Sequence, residues 1–411
     1  MKKYNIGLFG FGCVGQGFSE LLSSNKHLNA QIVKTCVKQL DKPRVNLPGK
    51  LVADPDEILN DQNIDIVVEL IDDADVAFKI VSNALKEGRK VITANKKMVA
   101  QNLSQLIDLE KAYGGKMLYE GAVCGSIPIL TTLRNYHTND QILTLSGILN
   151  GSTNYILTKV IEQNLSYEEA LLDAKGNGFA ESDPSLDVLA YDPSFKLSIL
   201  IHQAFGVIIP PDKVYKKGIT DISQADITFA KQHGLKIKLI AEARLVDGDI
   251  QAWVCPKFID ETDPFYLVND EYNVVKIESA AAGDQLLFGK GAGKLPTGLA
   301  VLADLSTLLK TEIDQVVCQT SNVELSDNYA VEVYISYKSD LAIDLSCFEL
   351  ISEKSHGKVY SYAIGKITVD KLKIFQEKFS DVSIIFTSDT RQELNIKSLT
   401  YQSNAIAVGT I

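Results

Sequence analysis

An α/β architecture built on a doubly wound parallel sheet is what this sequence predicts, on three observations. The first strand-like run, Tyr4-Asn5-Ile6-Gly7-Leu8-Phe9, leads into Gly10-Phe11-Gly12-Cys13-Val14-Gly15, with a helical pattern from Gln16 to Ser23 directly behind it. Strand-like and helix-like segments then alternate, the order that a parallel sheet with crossover helices requires. From Ile142 onward the pattern becomes mixed, so a second domain follows the first.

Each element has its own signal. The glycine turn has the form Gly-x-Gly-x-x-Gly, flanked as a dinucleotide site needs it: a buried strand before and a helix after. The first glycine permits the tight turn, the second lets backbone approach a pyrophosphate, and the third lets helix pack on strand. Helix N-terminal amides then face the phosphates. Gln31 to Val37 reads as a second strand, Ile64 to Ile71 as a buried fourth, Val91 to Ala94 as a fifth and Met117 to Glu120 as a sixth. Val76 to Lys86 is an amphipathic helix stopped by Gly88. In the mixed region, Ile142 to Leu149 reads as a strand and Gly151-Ser152-Thr153-Asn154 as a helix start. Ser166-Tyr167-Glu168-Glu169 is a capping box before Ala170 to Ala174.

Composition excludes several classes of function. At 411 residues the chain has room for two or three domains, and its hydrophobic share of 45% is ordinary for a globular protein. No apolar run is long enough to span a bilayer, and no basic segment with an apolar stretch and cleavage site opens the chain, so the cytoplasm is the expected compartment. A net charge of -11 argues against nucleic acid or anionic lipid as partner. The six cysteines (Cys13, Cys36, Cys124, Cys255, Cys318, Cys347) are scattered without a Cys-x-x-Cys pair, which suggests neither zinc nor a disulfide framework.

Ligands of doubly wound sheets bind at the carboxyl ends of the strands, so the residues just past those ends carry the chemistry. Past the second strand stands Lys38, with Lys34, Lys42 and Arg44 nearby, where an acid would bind the ribose hydroxyl of NAD. A cation there suits the 2′-phosphate of NADP, and Asp41 keeps NAD open. Past the fifth strand, Thr93-Ala94-Asn95-Lys96-Lys97 puts a cation near the nicotinamide ribose; Lys96 could orient substrate or cofactor. Past the sixth, Tyr119-Glu120-Gly121-Ala122-Val123-Cys124-Gly125-Ser126-Ile127-Pro128 offers a carboxylate and exposed carbonyls, hard ligands of the type a monovalent or alkaline-earth cation takes. The competing reading is a helix-start turn with Pro128 near the first position.

The second domain holds the most unusual cluster. The acidic stretch Glu181-Ser182-Asp183-Pro184-Ser185-Leu186-Asp187 precedes the helix Asp192 to Phe205, on which Asp192 and Lys196 are four apart and share a face. On spacing alone this is a surface ion pair of about 0.3–0.5 kcal/mol. The apolar run Leu197-Ser198-Ile199-Leu200-Ile201 behind the lysine predicts instead a buried helix. A buried lysine needs partners or a lowered pKa, and can then exchange protons near neutrality.

With these residues together, the sequence resembles the homoserine dehydrogenase family. The resemblance rests on Gly10 to Gly15, Thr93-Ala94-Asn95-Lys96, Tyr119-Glu120, Gly147-Ile148-Leu149-Asn150-Gly151-Ser152-Thr153-Asn154-Tyr155, Glu181-x-Asp183-Pro184, Asp187, Asp192 and Lys196. Gly291-Ala292-Gly293 with Pro296-Thr297 and a helix Gly298 to Leu309 extend it to about residue 320. It implies a Rossmann-type NAD(P)-binding domain from residues 1–130 plus about 295–322, a mixed α+β catalytic and dimerisation domain from 131–294, and a homodimer. It also implies that Gly10, Phe11, Gly12, Cys13, Val14, Gly15, Lys38, Thr93, Lys96 and Gly293 surround the cofactor, NADP or NAD. Lys196 would be the general acid/base, Asp192 its orienting partner, and Lys96 would lie between cofactor and substrate. Glu181 would receive the substrate's amino group, with Asp187 and Asp192 in the same pocket. Glu120 and the backbone carbonyls of Val123, Gly125 and Ile127 would match the family's sodium-binding turn.

The implied reaction agrees with the residue types. L-Aspartate 4-semialdehyde carries an ammonium, a carboxylate and an aldehyde, which call for acids, donors and a proton source; its reduction gives L-homoserine. Two rival readings compete. An aldehyde dehydrogenase acting on the acyl-phosphate side of the same metabolite would need a reactive cysteine with a histidine partner, and neither His137 nor His202 has a cysteine in such a context. A catalytically silent NADP sensor would need the glycine loop but not Lys96, Glu181, Asp187, Asp192 and Lys196 together.

Beyond about residue 325 the resemblance thins. Ala330 to Tyr337, Lys358 to Ile364, Val369 to Phe379 and Ser383 to Phe386 read as strand, strand, helix, strand in a C-terminal α+β module spanning 326–411. Longer members of the family often carry an ACT-type domain there that binds an amino acid such as threonine. This segment lacks the expected Pro-Gly loop and a helix after its first strand, so a small module for structural contacts is the alternative.

Overall fold

The computed structural model describes residues 3–310 and 323–387. Its first six strands are β1 (Tyr4–Phe9), β2 (Ala30–Cys36), β3 (Lys50–Val52), β4 (Ile66–Glu69), β5 (Lys90–Thr93) and β6 (Lys116–Leu118). They pair in parallel in the order β3-β2-β1-β4-β5-β6, the doubly wound order whose crevice opens where β1 meets β4. The strands read from the sequence shorten at their carboxyl ends because the next residues turn away to other partners. Glu120, expected in the sixth strand, instead begins a 3-10 turn, its N–H donated to the Asp304 carboxylate at 2.8 Å. The short edge strand β3 had no hydrophobic run to announce it.

Helix ends follow the local chemistry. The helix Ala74–Lys86 starts two residues before the predicted Val76, because the Asp73 carboxylate accepts from the N–H groups of Asp75 and Val76. Gly88 follows it at φ 69°, as a stop signal should. The Ser166/Glu169 capping box forms in full before the helix Tyr167–Gly176.

The remaining strands are β7 (Ile142–Ile148), β8 (Tyr215–Lys216), β9 (Lys236–Val246), β10 (Asp249–Ile259), β11 (Tyr272–Ser279), β12 (Gly283–Lys290), β13 (Ala330–Lys338), β14 (Leu350–His356), β15 (Tyr360–Thr368) and β16 (Ser383–Phe386). They form one sheet in the order β12-β11-β7-β9-β10-β16-β13-β15-β14, with β8 against β10. The C-terminal segment is therefore strand, strand, strand, helix (Val369–Lys378), strand, with β14 added to the expected order and turns rather than a helix after β13. Its strands do not stand apart. β16 joins β10 in parallel, and Trp253, Tyr215 and Cys255 share one apolar cluster with Val331, Val333, Leu372 and Phe386.

The helix Lys294–Lys310 returns to the first sheet and packs on the helix Cys13–Ser24. Two facing glycines make this crossing. A Cβ on Gly17 would lie 2.0 Å from the Lys294 carbonyl oxygen, and one on Gly298 would lie 2.7 Å from the Gly17 backbone. The expected continuation of this return to residue 322 falls largely outside the described residues, as do the last residues of the C-terminal module. Among the described residues no helix is long and apolar enough to cross a membrane.

Candidate active site

The glycine turn has the properties its pattern predicts. Gly10 takes φ 89° with its Cα against the Leu70 carbonyl, where a Cβ would come within 2.4 Å. Over Gly12 the space is open, and a Cβ there would meet no atom within 4 Å, so a pyrophosphate can approach the backbone. At Gly15 a Cβ would meet the Gly10 carbonyl at 2.5 Å, which is why the helix can begin directly against the strand. Phe11 is buried while Cys13 is exposed and Val14 half-buried beside it. The turn and the first amides of Cys13–Ser24 fit a dinucleotide phosphate.

Behind β2, Lys38 is exposed and has no ion-pair partner among the described residues. Two of the neighbouring cations, Lys34 and Arg44, have other partners. Lys34 pairs with Asp61 at 2.7 Å and donates to the Glu57 carbonyl at 2.6 Å, and the Arg44 guanidinium donates to the Lys42 carbonyl at 2.8 Å. Thr93, at the end of β5, has its side chain beneath the crevice. Its hydroxyl donates to the buried Glu69 carboxylate at 2.6 Å and accepts the Asn95 N–H at 3.0 Å, so only its backbone is left to face a cofactor. Glu69 also accepts the Ile71 N–H at 2.6 Å, and burial pushes its carboxyl up to about 7. This junction of the β4 and β5 ends was not visible in the sequence.

Helix Lys96–Tyr113 starts at Lys96 behind an Asn95 cap, and it brings that ammonium to the helix Tyr191–Phe205. Asp192 stands between two lysines: Oδ1 is 2.5 Å from Lys96 Nζ and Oδ2 is 2.8 Å from Lys196 Nζ. The Lys196 and Asp192 side chains are 8% and 3% exposed, which removes the surface-pair reading, whereas Lys96 is 43% exposed and faces the cleft. Lys196 also donates to the Leu149 carbonyl at 2.6 Å, so the buried lysine has partners as its apolar setting demands. Burial pushes the Asp192 carboxyl up, but the two ammonium groups more than reverse this and hold it well below the usual carboxylate range. The same carboxylate raises Lys96.

The acidic loop closes the other side. Asp187 is half-buried and accepts from Asn150 Nδ2 at 2.6 Å; burial and the neighbouring Asp192 charge both raise its carboxyl. Glu181 is exposed at the mouth, near enough for its charge to help raise Lys96. Cys124 is buried near this cluster, and burial pushes its thiol up to about 11, so it is no thiolate nucleophile at neutral pH. His202 is buried too, its imidazole pushed down to about 4 by burial. Among the described residues no cysteine hydrogen-bonds a histidine.

The turn after β6 departs from its expectation in one respect. The Glu120 carboxylate faces neither the turn nor solvent: it accepts the N–H groups of Leu130 and Thr131 at 2.9 and 2.7 Å and the Thr131 hydroxyl at 2.6 Å. It thus anchors the start of the helix Ile129–Asn135, a favourable place for an anion. The carbonyls of Glu120 and Ile127 accept the N–H groups of Val123 and Ile129, while those of Val123 and Gly125 accept no hydrogen bond among the described residues. Gly125, at φ 53°, packs against the Gly291 carbonyl, and Gly293, at φ 123°, leads into the returning helix, so both glycine turns lie at the same end of the crevice.

Comparison with known proteins agrees with this geometry. A family model for the homoserine dehydrogenase NAD-binding domain matches residues 10–120, and the homoserine dehydrogenase model matches residues 128–306. The homoserine dehydrogenase of Lactococcus lactis subsp. lactis is 39% identical over 329 residues, covering 77% of each chain. That of Bacillus subtilis is 35% identical over 319 residues, covering 75% of this chain and 74% of its own. Among solved structures, a homoserine dehydrogenase from Thiobacillus denitrificans superposes with TM-score 0.83 at 28% identity, over 95% of this chain and 99% of that one. A hyperthermophilic archaeal homoserine dehydrogenase in complex with NADPH shares the fold, with TM-score 0.64 at 24% identity over 77% of this chain and 100% of that one. With a nucleotide turn, a lysine–aspartate–lysine cluster and these relatives in one chain, the protein belongs to the homoserine dehydrogenase family, oxidoreductases acting on a CH–OH group.

Proposed function

We propose that this site interconverts L-aspartate 4-semialdehyde and L-homoserine, with Lys196 as the group that exchanges a proton with the substrate oxygen. The observation that carries this reading is the buried Lys196–Asp192 pair with the half-exposed Lys96 on the other carboxylate oxygen. In the direction of reduction, the Lys196 ammonium protonates the oxygen as the aldehyde carbon is reduced, and Asp192 holds that ammonium in place. In the reverse direction the neutral amine takes the proton back. A nicotinamide dinucleotide bound at the glycine turn supplies or accepts the hydride. Glu181 and Asp187 receive the substrate ammonium at the mouth, and the half-exposed Lys96 orients the substrate beside the cofactor. The silent-sensor reading has no support, since Lys196, Asp192 and Lys96 meet in one cluster that Asp187 joins through Asn150. Lys196→Ala, assayed for homoserine oxidation with NADP and NAD in parallel, should lose roughly 100-fold or more in kcat while cofactor affinity stays near wild type. Near-normal turnover would refute the assignment.

NADP is the cofactor we favour over NAD, because the exposed Lys38 follows β2 directly and its ammonium has no ion pair among the described residues, whereas Lys34 is held by Asp61. For the sodium ion, the free carbonyls of Val123 and Gly125 support a site in the turn, with Glu120 shaping the turn rather than lending its carboxylate. A homodimer is supported by the exposed Leu286 and Phe288 on the edge strand β12; light scattering giving a monomer mass would overturn it. The cytoplasm suits the free thiols Cys13, Cys36, Cys124, Cys255 and Cys347. For the C-terminal module the structural reading is the stronger, because its core is continuous with that of the catalytic sheet.

A further inference from the structure

Asp187 and Asp192 raise a physical problem. Two carboxylates sharing one buried site do not both ionise unless something stabilises both charges. The two lysines reach Asp192 and leave Asp187 without an ion pair among the described residues. What touches both acids is Asn150, 4% exposed, whose Nδ2 donates to Asp187 Oδ1 at 2.6 Å and to Asp192 Oδ2 at 2.8 Å.

The direction of this amide is fixed by its other end. Asn150 is the N-cap of the helix Gly151–Glu162, and its Oδ1 accepts the Thr153 N–H at 2.9 Å and the Thr153 hydroxyl at 3.0 Å. A backbone N–H can only donate, so the oxygen must face the helix and the two amide protons must face the acids. Both protons and the oxygen are then used. The preceding residue contributes as well, since the Leu149 carbonyl accepts from Lys196. One short segment at the end of β7 therefore touches the lysine and both acids.

We propose that Asn150 is a positioning residue that keeps Asp187 and Asp192 charged side by side, one for the substrate ammonium and one for the two lysines. The inference rests on the roles given to Asp187 and Lys196 above. The charged and titratable groups facing the pair are Lys196 on the helix of Asp192, Lys96 on the neighbouring helix and the Cys124 thiol near Asp192, while Glu181 on the acidic loop acts on Lys96. Among these contacts Asn150 is the neutral donor common to both acids.

Two variants separate this role from helix capping, because aspartate and serine cap helices about as well as asparagine. Asn150→Asp sets a third carboxylate against the pair, while Asn150→Ser keeps a cap but is too short to bridge it. The readout is kcat/KM for homoserine across roughly pH 6 to 10, with melting temperature and NADP Kd measured alongside. Asn150→Asp should lower kcat/KM about 10- to 100-fold at neutral pH and move its acid limb up by about one unit. Asn150→Ser should shift the limb the same way but less, with homoserine KM raised and Kd for NADP unchanged. An acid limb that stays in place, or a loss of activity that merely follows a lower melting temperature, would overturn the proposal. If Asn150→Asp does not fold, Asn150→Ser decides alone. Lys196→Ala distinguishes the layers: an active Lys196→Ala sinks the catalytic reading, whereas an inactive Lys196→Ala with unshifted Asn150 variants sinks only this inference.

Discussion

Asp192 shows how much one side chain can carry. Its two oxygens hold two lysines from different helices, so the carboxylate links the residue behind β5 with the one assigned to proton transfer. In water such pairs are worth little, but with Asp192 and Lys196 buried, removing the charge leaves two ammonium groups facing a neutral amide. Asp192→Asn should therefore cost roughly 3–5 kcal/mol of stability, visible in urea unfolding; an unchanged midpoint would mean the lysines find other partners. Lys38 makes a separate case. If it pairs with a 2′-phosphate, Lys38→Ala should raise the NADP Kd by about tenfold and leave NAD unaffected, as titration of each cofactor would read. Equal losses would remove that role.

Elements meet here through close backbone contact as much as through apolar side chains. The crossing of Cys13–Ser24 with Lys294–Lys310 depends on Gly17 and Gly298, each of which has the other helix where a Cβ would stand. Gly17→Ala should push the helices apart at a cost of about 1–3 kcal/mol and weaken NADP binding, since the same helix presents the phosphate-facing amides. Thermal unfolding and cofactor titration check both parts; a stable variant with normal Kd would show that the crossing gives way freely. Helix starts, in contrast, are local. Ser166 with Glu169 and Asp73 with its two amides are settled within four residues; the first is read directly, while the Asp73 cap is missed and the helix placed two residues late.

On the scale of the whole molecule, the ten-stranded sheet joins the strands of the middle segment to those of the C-terminal module and buries a second unusual lysine. Lys238 on β9 is 1% exposed and donates to Asn154 Oδ1 at 3.1 Å, the Val268 carbonyl at 2.6 Å and Asn269 Oδ1 at 3.1 Å, all neutral acceptors. Burial, aided by the nearby Lys236 charge, pushes its ammonium from 10.5 down to about 7. The folded state thus binds this proton less readily than the unfolded chain. Stability from this group therefore rises as pH climbs from about 7 toward 10.5, and its burial is most costly below that window. The difference in unfolding free energy between wild type and Lys238→Met should consequently change with pH across that window. A difference that is flat with pH would show that Lys238 stays charged in the fold.

Much of this protein was settled by short-range chemistry. The glycine turn, the strand and helix alternation, the capping box, and the Asp192/Lys196 spacing on a buried helix all lie within a few residues of chain, and periodicity and backbone sterics express them without outside help. Residues of the candidate site were legible for the same reason, as was the family they resemble. Other features needed the fold. The Glu120 carboxylate was expected at the metal turn, yet it bonds the start of the next helix, because a buried charge goes to whichever donors packing brings within reach. Thr93 was expected against the cofactor, yet its hydroxyl is tied to Glu69 from another strand. Asn150 lies 37 and 42 residues from the two acids it joins, and Lys96 is further still from Asp192. The merging of β16 with β10 likewise brings together distant segments that no local pattern marks. Local sequence determined which elements form and which chemical groups they carry. Tertiary structure alone decided which of those groups share a charge, because that depends on distances between segments far apart in the chain.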